Sequence, residues 1–245
     1  MVRAIDFHRT ATFRVALVAA LLCAALATTA QEPFEDFGVW IAGEYETELF
    51  PDLDLAVEQE FRLEDNARTL GRMHTNIGLG YKLYGPLRLG ANYRFISNRR
   101  GNGFFAYRHR ATADLILRES YRRWRFTYRG RIQWDFKGYG YGDEMDMGPA
   151  RKFRNKFQLQ FQVDRRTAVY GDFNVRAVIF DPGEPSDEWY INRFRYRAGL
   201  KYMTSEYGSV NLFFQHDRDV NIAEPEHLYI VGVGFGFENW KPLFR

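Results

Sequence analysis

From about residue 38 onward, apolar and polar residues alternate with a period of two along most of the chain. Successive side chains of a β-strand point to opposite faces, so the alternation predicts strands with one apolar and one polar face. Over residues 87–95, Leu87, Leu89, Ala91, Tyr93 and Phe95 fall on one face and Arg88, Gly90, Asn92 and Arg94 on the other. Over residues 124–136, Trp124, Phe126, Tyr128, Ile132, Trp134 and Phe136 share a face with Gly130, opposite Arg125, Thr127, Arg129, Arg131, Gln133 and Asp135. The stretches 153–163 and 190–202 repeat the pattern, with Asn155 and Asn192 as exceptions on the apolar face near strand ends.

Eleven such segments are predicted, near residues 38–49, 53–63, 72–83, 87–96, 106–118, 124–136, 153–163, 168–180, 189–203, 208–218 and 228–238. The connections alternate. Those at 50–52, 84–86, 119–123, 164–167 and 204–207 are short, and those at 65–71, 97–105, 138–150, 181–188 and 219–227 are longer. A soluble sandwich or periplasmic barrel also alternates, but three features favour a transmembrane barrel. The segments are about 10 to 13 residues long, where soluble strands average about 5 to 6 and membrane strands need about 9 to 11. The polar face is rich in Arg, Asn, Gln and Glu over many strands. Aromatics mark strand ends: Trp124 and Trp134 share one face, separated by roughly 25 Å along a barrel axis at 40° tilt, the height of a lipid-facing band. The expected fold is therefore all-β, an antiparallel up-and-down transmembrane β-barrel with short turns at one end and long loops at the other. Single-chain bacterial barrels have an even number of strands, so twelve strands are expected, with ten as the alternative. The stretch 31–37 has to account for the difference from eleven.

The first thirty residues stand apart from this pattern. Arg3, Arg9 and Arg14 precede an apolar run from Val15 to Ala27, and Thr28-Thr29-Ala30 supplies small residues before Gln31. That is the layout of a secretory signal peptide, and the run is shorter than the roughly 20 residues a membrane helix needs. The expected organisation is a signal peptide at 1–30 and one barrel domain at 31–245. Leu22 before Cys23 argues against a lipoprotein. Loss of the signal leaves 31 basic and 30 acidic residues, a net charge of +1, which gives no basic footprint for nucleic acid. It also removes Cys23, the sole cysteine, so the mature chain forms no disulfide and binds no metal through thiolate. With 17% aromatic residues and no later stretch apolar enough for a helix, an exported chain enters a membrane by closing a sheet, which satisfies every backbone group in lipid.

Several stretches together resemble the domain-of-unknown-function 2490 family of predicted outer-membrane proteins. They are Phe37-Gly38-Val39-Trp40, Val57-Glu58-Gln59-Glu60-Phe61-Arg62, Ile77-Gly78-Leu79-Gly80-Tyr81-Lys82-Leu83, Leu89-Gly90-Ala91-Asn92-Tyr93-Arg94-Phe95, Arg154-Asn155-Lys156-Phe157, Asn192-Arg193-Phe194-Arg195-Tyr196-Arg197 and His227-Leu228-Tyr229-Ile230-Val231-Gly232-Val233-Gly234. The resemblance implies a barrel in the outer membrane of a Gram-negative cell. It carries no established activity, so no functional residue is transferred. The tail from Glu238 to Arg245 departs from the usual barrel ending, with Phe237 or Phe244 as the terminal aromatic position.

The polar faces supply the candidate chemistry. The first two strands carry Glu44, Glu46, Glu48, Asp54, Glu58 and Glu60. Later strands carry Arg88, Arg94, Arg108, Arg110, Arg125, Arg129, Arg131, Arg154, Lys156, Arg176, Arg193, Arg195, Arg197 and Lys201. The expected lumen lining is Glu44, Glu46, Glu58, Glu60, Arg94, Arg110, Arg129, Arg131, Arg154, Arg193, Arg195 and Arg197, beside the glycines Gly232, Gly234 and Gly236 of the last segment. Two outcomes follow: the charges pair and fill the lumen, giving a structural barrel, or they frame a narrow porin-like channel that prefers anions. An outer-membrane enzyme is the third and weakest reading. His216-Asp217 is the nearest approach to a catalytic pair among His74, His109, His216 and His227, but neighbours on a strand point to opposite faces. No Gly-x-Ser-x-Gly elbow is present, and Gly232-x-Gly234-x-Gly236 lacks the context of a nucleotide fingerprint. Asp143-Glu144-Met145-Asp146 reads as a solvated acidic loop, with calcium or lipopolysaccharide bridging as the sharper alternative. No cofactor, catalytic residue or metal ligand is expected. The expected partners are outer-membrane lipid, lipopolysaccharide and the barrel-assembly machinery.

Overall fold

The computed structural model describes residues 34–142, 148–182, 188–223 and 225–239. The expected signal peptide, the acidic cluster Asp143-Glu144-Met145-Asp146 and Phe244 lie outside the described residues. The strands are β1 (Phe34–Phe50), β2 (Leu53–Glu64), β3 (Thr69–Tyr84), β4 (Leu87–Arg99), β5 (Phe105–Tyr121), β6 (Trp124–Lys137), β7 (Ala150–Gln162), β8 (Thr167–Phe180), β9 (Tyr190–Met203), β10 (Gly208–Asp219) and β11 (Glu226–Asn239). Each pairs with its sequence neighbour in antiparallel fashion, and β1 joins β11 to close the sheet on itself. The all-β, up-and-down barrel expected from the alternation is the observed fold.

The strand count is eleven among the described residues, not twelve or ten. The closing seam explains how an odd number is accommodated. In an up-and-down sheet with an odd number of strands, the first and last run the same way, so closure requires a parallel pair. β1 and β11 form that pair from Phe34↔Glu226 to Thr47↔Asn239. The stretch near residue 37 is thus part of β1, which begins at Phe34 rather than near 38. Eleven strands spaced about 4.8 Å apart and tilted about 40° give a backbone radius of roughly 11 Å.

The start of β1 is tied down from a neighbouring loop. Asp36 Oδ1 accepts from the backbone N–H of Phe37 and Asn66, each at 2.8 Å, and Oδ2 accepts from Asp65 N–H at 3.0 Å. Ala67 N–H donates to Phe37 carbonyl oxygen at 3.0 Å. These bonds hold Asp65, Asn66 and Ala67 in a run of left-handed backbone, with φ of 58°, 53° and 61°. At the other end the turns are tight. Pro51-Asp52, Gly85-Pro86 and Arg122-Arg123 each link two strands through two residues, with positive φ at Asp52, Gly85 and Arg122. The β7–β8 turn is organised by Asp164, whose Oδ1 accepts from Arg166 and Thr167 N–H at 2.8 and 2.9 Å. Those two bonds hold its carboxyl below the usual carboxylate range.

The polarity of the barrel is inverted relative to a water-soluble protein. Ile77, Leu79, Tyr81, Tyr93, Leu115, Trp124, Phe126, Ile132, Phe157, Leu159, Leu212 and Phe235 are exposed on the outward face. His74, Thr112, Asp114, Gln133, Asp135, Asp172, Asn174, Gln215, Asp217 and Asp219 are buried on the inward face. Both asparagines that break the alternation have a local cause. Asn155 stays on the outward face, where its Oδ1 accepts from Tyr128 hydroxyl at 2.7 Å. Asn192 falls at a register shift, since Arg176 opposes Arg193 while Ala177 opposes Ile191. The bulge leaves Asn192 unpaired with β8 and buried, accepting from Arg176 Nε at 2.8 Å.

Candidate functional site: the charged lumen

Side chains of paired residues share a face, so the strand registers place all twelve residues expected to line the lumen on the inward face. Glu44 opposes Glu58, and Glu58 opposes Asn76. Arg94 opposes Arg110, and Arg110 opposes Asp135. Arg129 and Arg131 oppose Lys156 and Arg154. Arg193, Arg195 and Arg197 oppose Asp219, Asp217 and Gln215.

The acidic residues of the first two strands and the basic residues of the later ones do not meet as two opposed blocks. Most of the ion pairs run along the wall, between adjacent strands or strands two apart. Arg131 makes a two-point contact with Asp114, Nε to Oδ1 and Nη2 to Oδ2, both at 2.6 Å. Asp135 accepts from Arg110 Nε at 2.5 Å, Gln133 Nε2 at 2.9 Å and Lys152 Nζ at 3.3 Å. Lys156 pairs with Asp172 at 3.1 Å. Asp217 accepts from Arg195 Nε at 2.7 Å and Nη2 at 2.5 Å, and from Gln215 Nε2 at 2.7 Å. Asp219 takes both Nε and Nη2 of Arg193. Two carboxylates of β2 are served from two strands away: Arg94 reaches Glu58 at 3.3 Å across β3, and Arg88 reaches Asp54 in the same manner.

Asp114, Asp135, Asp172, Asp217 and Asp219 were absent from the expected lining, although they carry most of the pairing. Their signal was in the sequence. Asp114, Asp135 and Asp172 share the parity of Arg110, Arg131 and Arg176 on their own strands, and Asp217 and Asp219 share that of Asn211 and Gln215 on theirs. A two-residue turn closed by Tyr121 and Trp124 fixes Asp114 opposite Arg131.

Aromatic groups fill space near the seam. Trp40 points inward and is 3% exposed, with the Arg62 guanidinium 3.6 Å from its ring centre and that of Arg195 at 5.5 Å. Phe213 packs edge-on to it at 6.5 Å by lying across Gly232. The ring occupies the place a Cβ would take there, since an atom built at that position meets Phe213 at 2.0 Å. Around Trp40, at the mouth that carries the long loops, is a cavity of about 300 Å³ lined by Arg62, Arg72, Arg193, Asp217 and Glu226 among others.

Glu58, Glu60 and His74 bring three ligand atoms within 4.8 Å of one another. Each carboxylate already accepts from an arginine, Glu58 from Arg94 and Glu60 from Arg62, and His74 Nε2 lies 3.0 Å from Glu58. The donor set is a self-neutralising ion-pair network rather than an open metal centre. His216 and Asp217 are separated by the sheet. His216 faces outward and stacks on Tyr229 at 4.7 Å, while Asp217 faces in.

An apolar outside around an ion-paired inside defines a closed β-barrel with a polar lumen. The model for a family of proteins of unknown function, DUF2490, matches residues 37–226, and the chain belongs to that family. No curated protein matches the chain. Among solved structures it is similar to a NanC porin crystallised in a rhombohedral form, with 12% identity and a TM-score of 0.42, covering 72% of this chain and 86% of that one.

Proposed function

We propose that the protein is an outer-membrane β-barrel of a Gram-negative cell, with a structural role and a lumen filled by its own charged side chains. The observation that carries this reading is the inverted polarity. Large aromatic and aliphatic side chains cover the outside of a sheet with no free edge, while carboxylates and guanidiniums are paired within. A bilayer rewards that outside and tolerates no unpaired backbone, and a closed sheet meets both demands. A roughly 11 Å backbone radius leaves little room once arginines reach inward from several strands. The reading assigns no catalysis and no cofactor, and its partners are outer-membrane lipid, lipopolysaccharide and the assembly machinery that inserts barrels.

A second reading, a narrow porin-like channel with anion preference, is favoured by the excess of inward cations on β6 to β9, where Arg129 and Arg154 have no carboxylate partner among the described residues. Two measurements test the pair. Fractionation with unboiled gel mobility should place the protein in the outer membrane as a heat-modifiable band; recovery in the soluble periplasm would refute the membrane assignment. Purified protein in planar bilayers should give no conductance steps. Regular steps with anion selectivity would replace the filled lumen with the channel.

A further inference from the structure

One row of inward residues crosses six strands of the wall. In register order it reads Asp114, Arg131, Arg154, Arg176, Arg193 and Asp219, so four arginines stand side by side between two aspartates. Like charges directly opposite each other in a sheet repel. Three of the four have relief. Arg131 pairs with Asp114, Arg193 with Asp219 and Asp217, and Arg176 donates to Asn192. Arg154, in the middle, has none. Among the described residues it makes no ion pair, and its Nε is buried without a hydrogen-bond partner.

Arg129 occupies the diagonal position, opposite Lys156 and one inward step from Arg131. It too has no ion-pair partner among the described residues. The two aspartates nearest it in the wall are already engaged, Asp114 by Arg131 and Asp172 by Lys156. Diagonal positions of neighbouring strands are within reach of long side chains, so these two guanidiniums address one region of the lumen. Both remain partly exposed to that interior rather than sealed in the wall. Partly buried cations are ordinarily paired with a carboxylate or a bound anion. A planar guanidinium presents a fork of donors that matches the oxygens of phosphate or carboxylate.

We propose that Arg129 and Arg154 form a site for a small oxyanion, a phosphate or carboxylate group, held inside the barrel. The site does not depend on whether the lumen conducts. It completes the charge balance of a wall that the chain's own carboxylates leave uneven.

The test uses the full barrel folded in detergent, with its heat-modifiable transition followed on gels. Inorganic phosphate and acetate are each titrated against sodium chloride at matched ionic strength. Wild type should show a saturable rise in midpoint, on the order of 5 °C at about 100 times the dissociation constant, with at least one of the two anions. The active anion identifies the preferred group. Arg154→Gln should lose the rise, and Arg165→Gln, in the exposed β7–β8 turn, should keep it. Should Arg154→Gln fail to fold, Arg129→Gln carries the same comparison. No saturable rise with either anion, or an equal rise in wild type and variant, overturns the site.

Discussion

Asp217 illustrates how much of the lumen depends on single carboxylates. Its side chain is 2% exposed and serves Arg195, Arg193 and Gln215 together. Arg195 in turn lies against the Trp40 ring, so the same carboxylate indirectly positions the aromatic cluster beside the seam. Removing one partner of such a pair leaves the other charge unmatched, at a cost of about 3–5 kcal/mol. Asp217→Ala should therefore lower the unfolding free energy of the detergent-folded barrel, read from urea titration, by about that amount and bring the urea midpoint down with it, whereas an exposed control such as Glu206→Ala should change both little. An unchanged midpoint for Asp217→Ala would show that lumen water screens the arginines and that the pair is worth no more than a surface contact. Asp217 was legible by parity but not by partner. The sequence places it one residue from His216 and two from Gln215, and nothing local says that its contacts come from β9.

Strand bounds were the most legible feature, because parity is a local property. Segments expected at 124–136 and 208–218 are found as Trp124–Lys137 and Gly208–Asp219. β5 was less so: its pairing runs on through Arg118, Glu119 and Ser120 to Tyr121, past the last apolar residue of the alternation. The bulge at Asn192 was visible only as a broken rule, since a single inserted residue changes a face without changing composition. The start of β1 was missed because its order comes from a distant loop. Asp36 acts there as a carboxylate cap for three backbone N–H groups, two of them about thirty residues away. Asp36→Ala should release the amides of Asp65 and Asn66 and the first pairs of the β1–β11 seam. Hydrogen exchange is the measurement: faster exchange at 65–67 and 34–38, with β6 and β7 unchanged, is expected. Protection retained at 34–38 would mean that the parallel ladder holds β1 without the cap.

For the barrel as an assembly, two facts follow from different parts of the chain and meet only on closure. Hairpin registers follow from short turns, so they build antiparallel neighbours one after another. The parallel pairing of Phe34–Phe50 with Glu226–Asn239 joins the two ends of the sequence and leaves no trace in alternation, which is why an even count was the natural expectation. The charge distribution has the same character. Each strand's polar face can be read alone, but the row of four arginines exists only once five hairpins have set their registers. Read strand by strand, the first two are acidic and the later ones basic; the assembled sheet shows pairs along the wall and, on β6 and β7, two neighbouring arginines with no carboxylate among the described residues.

An odd count also has a consequence for how the chain is addressed from outside. β1 starts at the mouth with the long loops and β11 finishes at the mouth with the tight turns. In an even-stranded barrel the two ends of the chain share one side. Here, on the proposed membrane reading, a label before Phe34 and a label after Asn239 sit on opposite sides. An epitope inserted next to Phe34 should bind antibody on intact cells, and one placed after Asn239 should bind only after the cells are opened. Both epitopes reporting from the same side would mean that the chain crosses an even number of times, and that the parallel seam is not the one used in the cell.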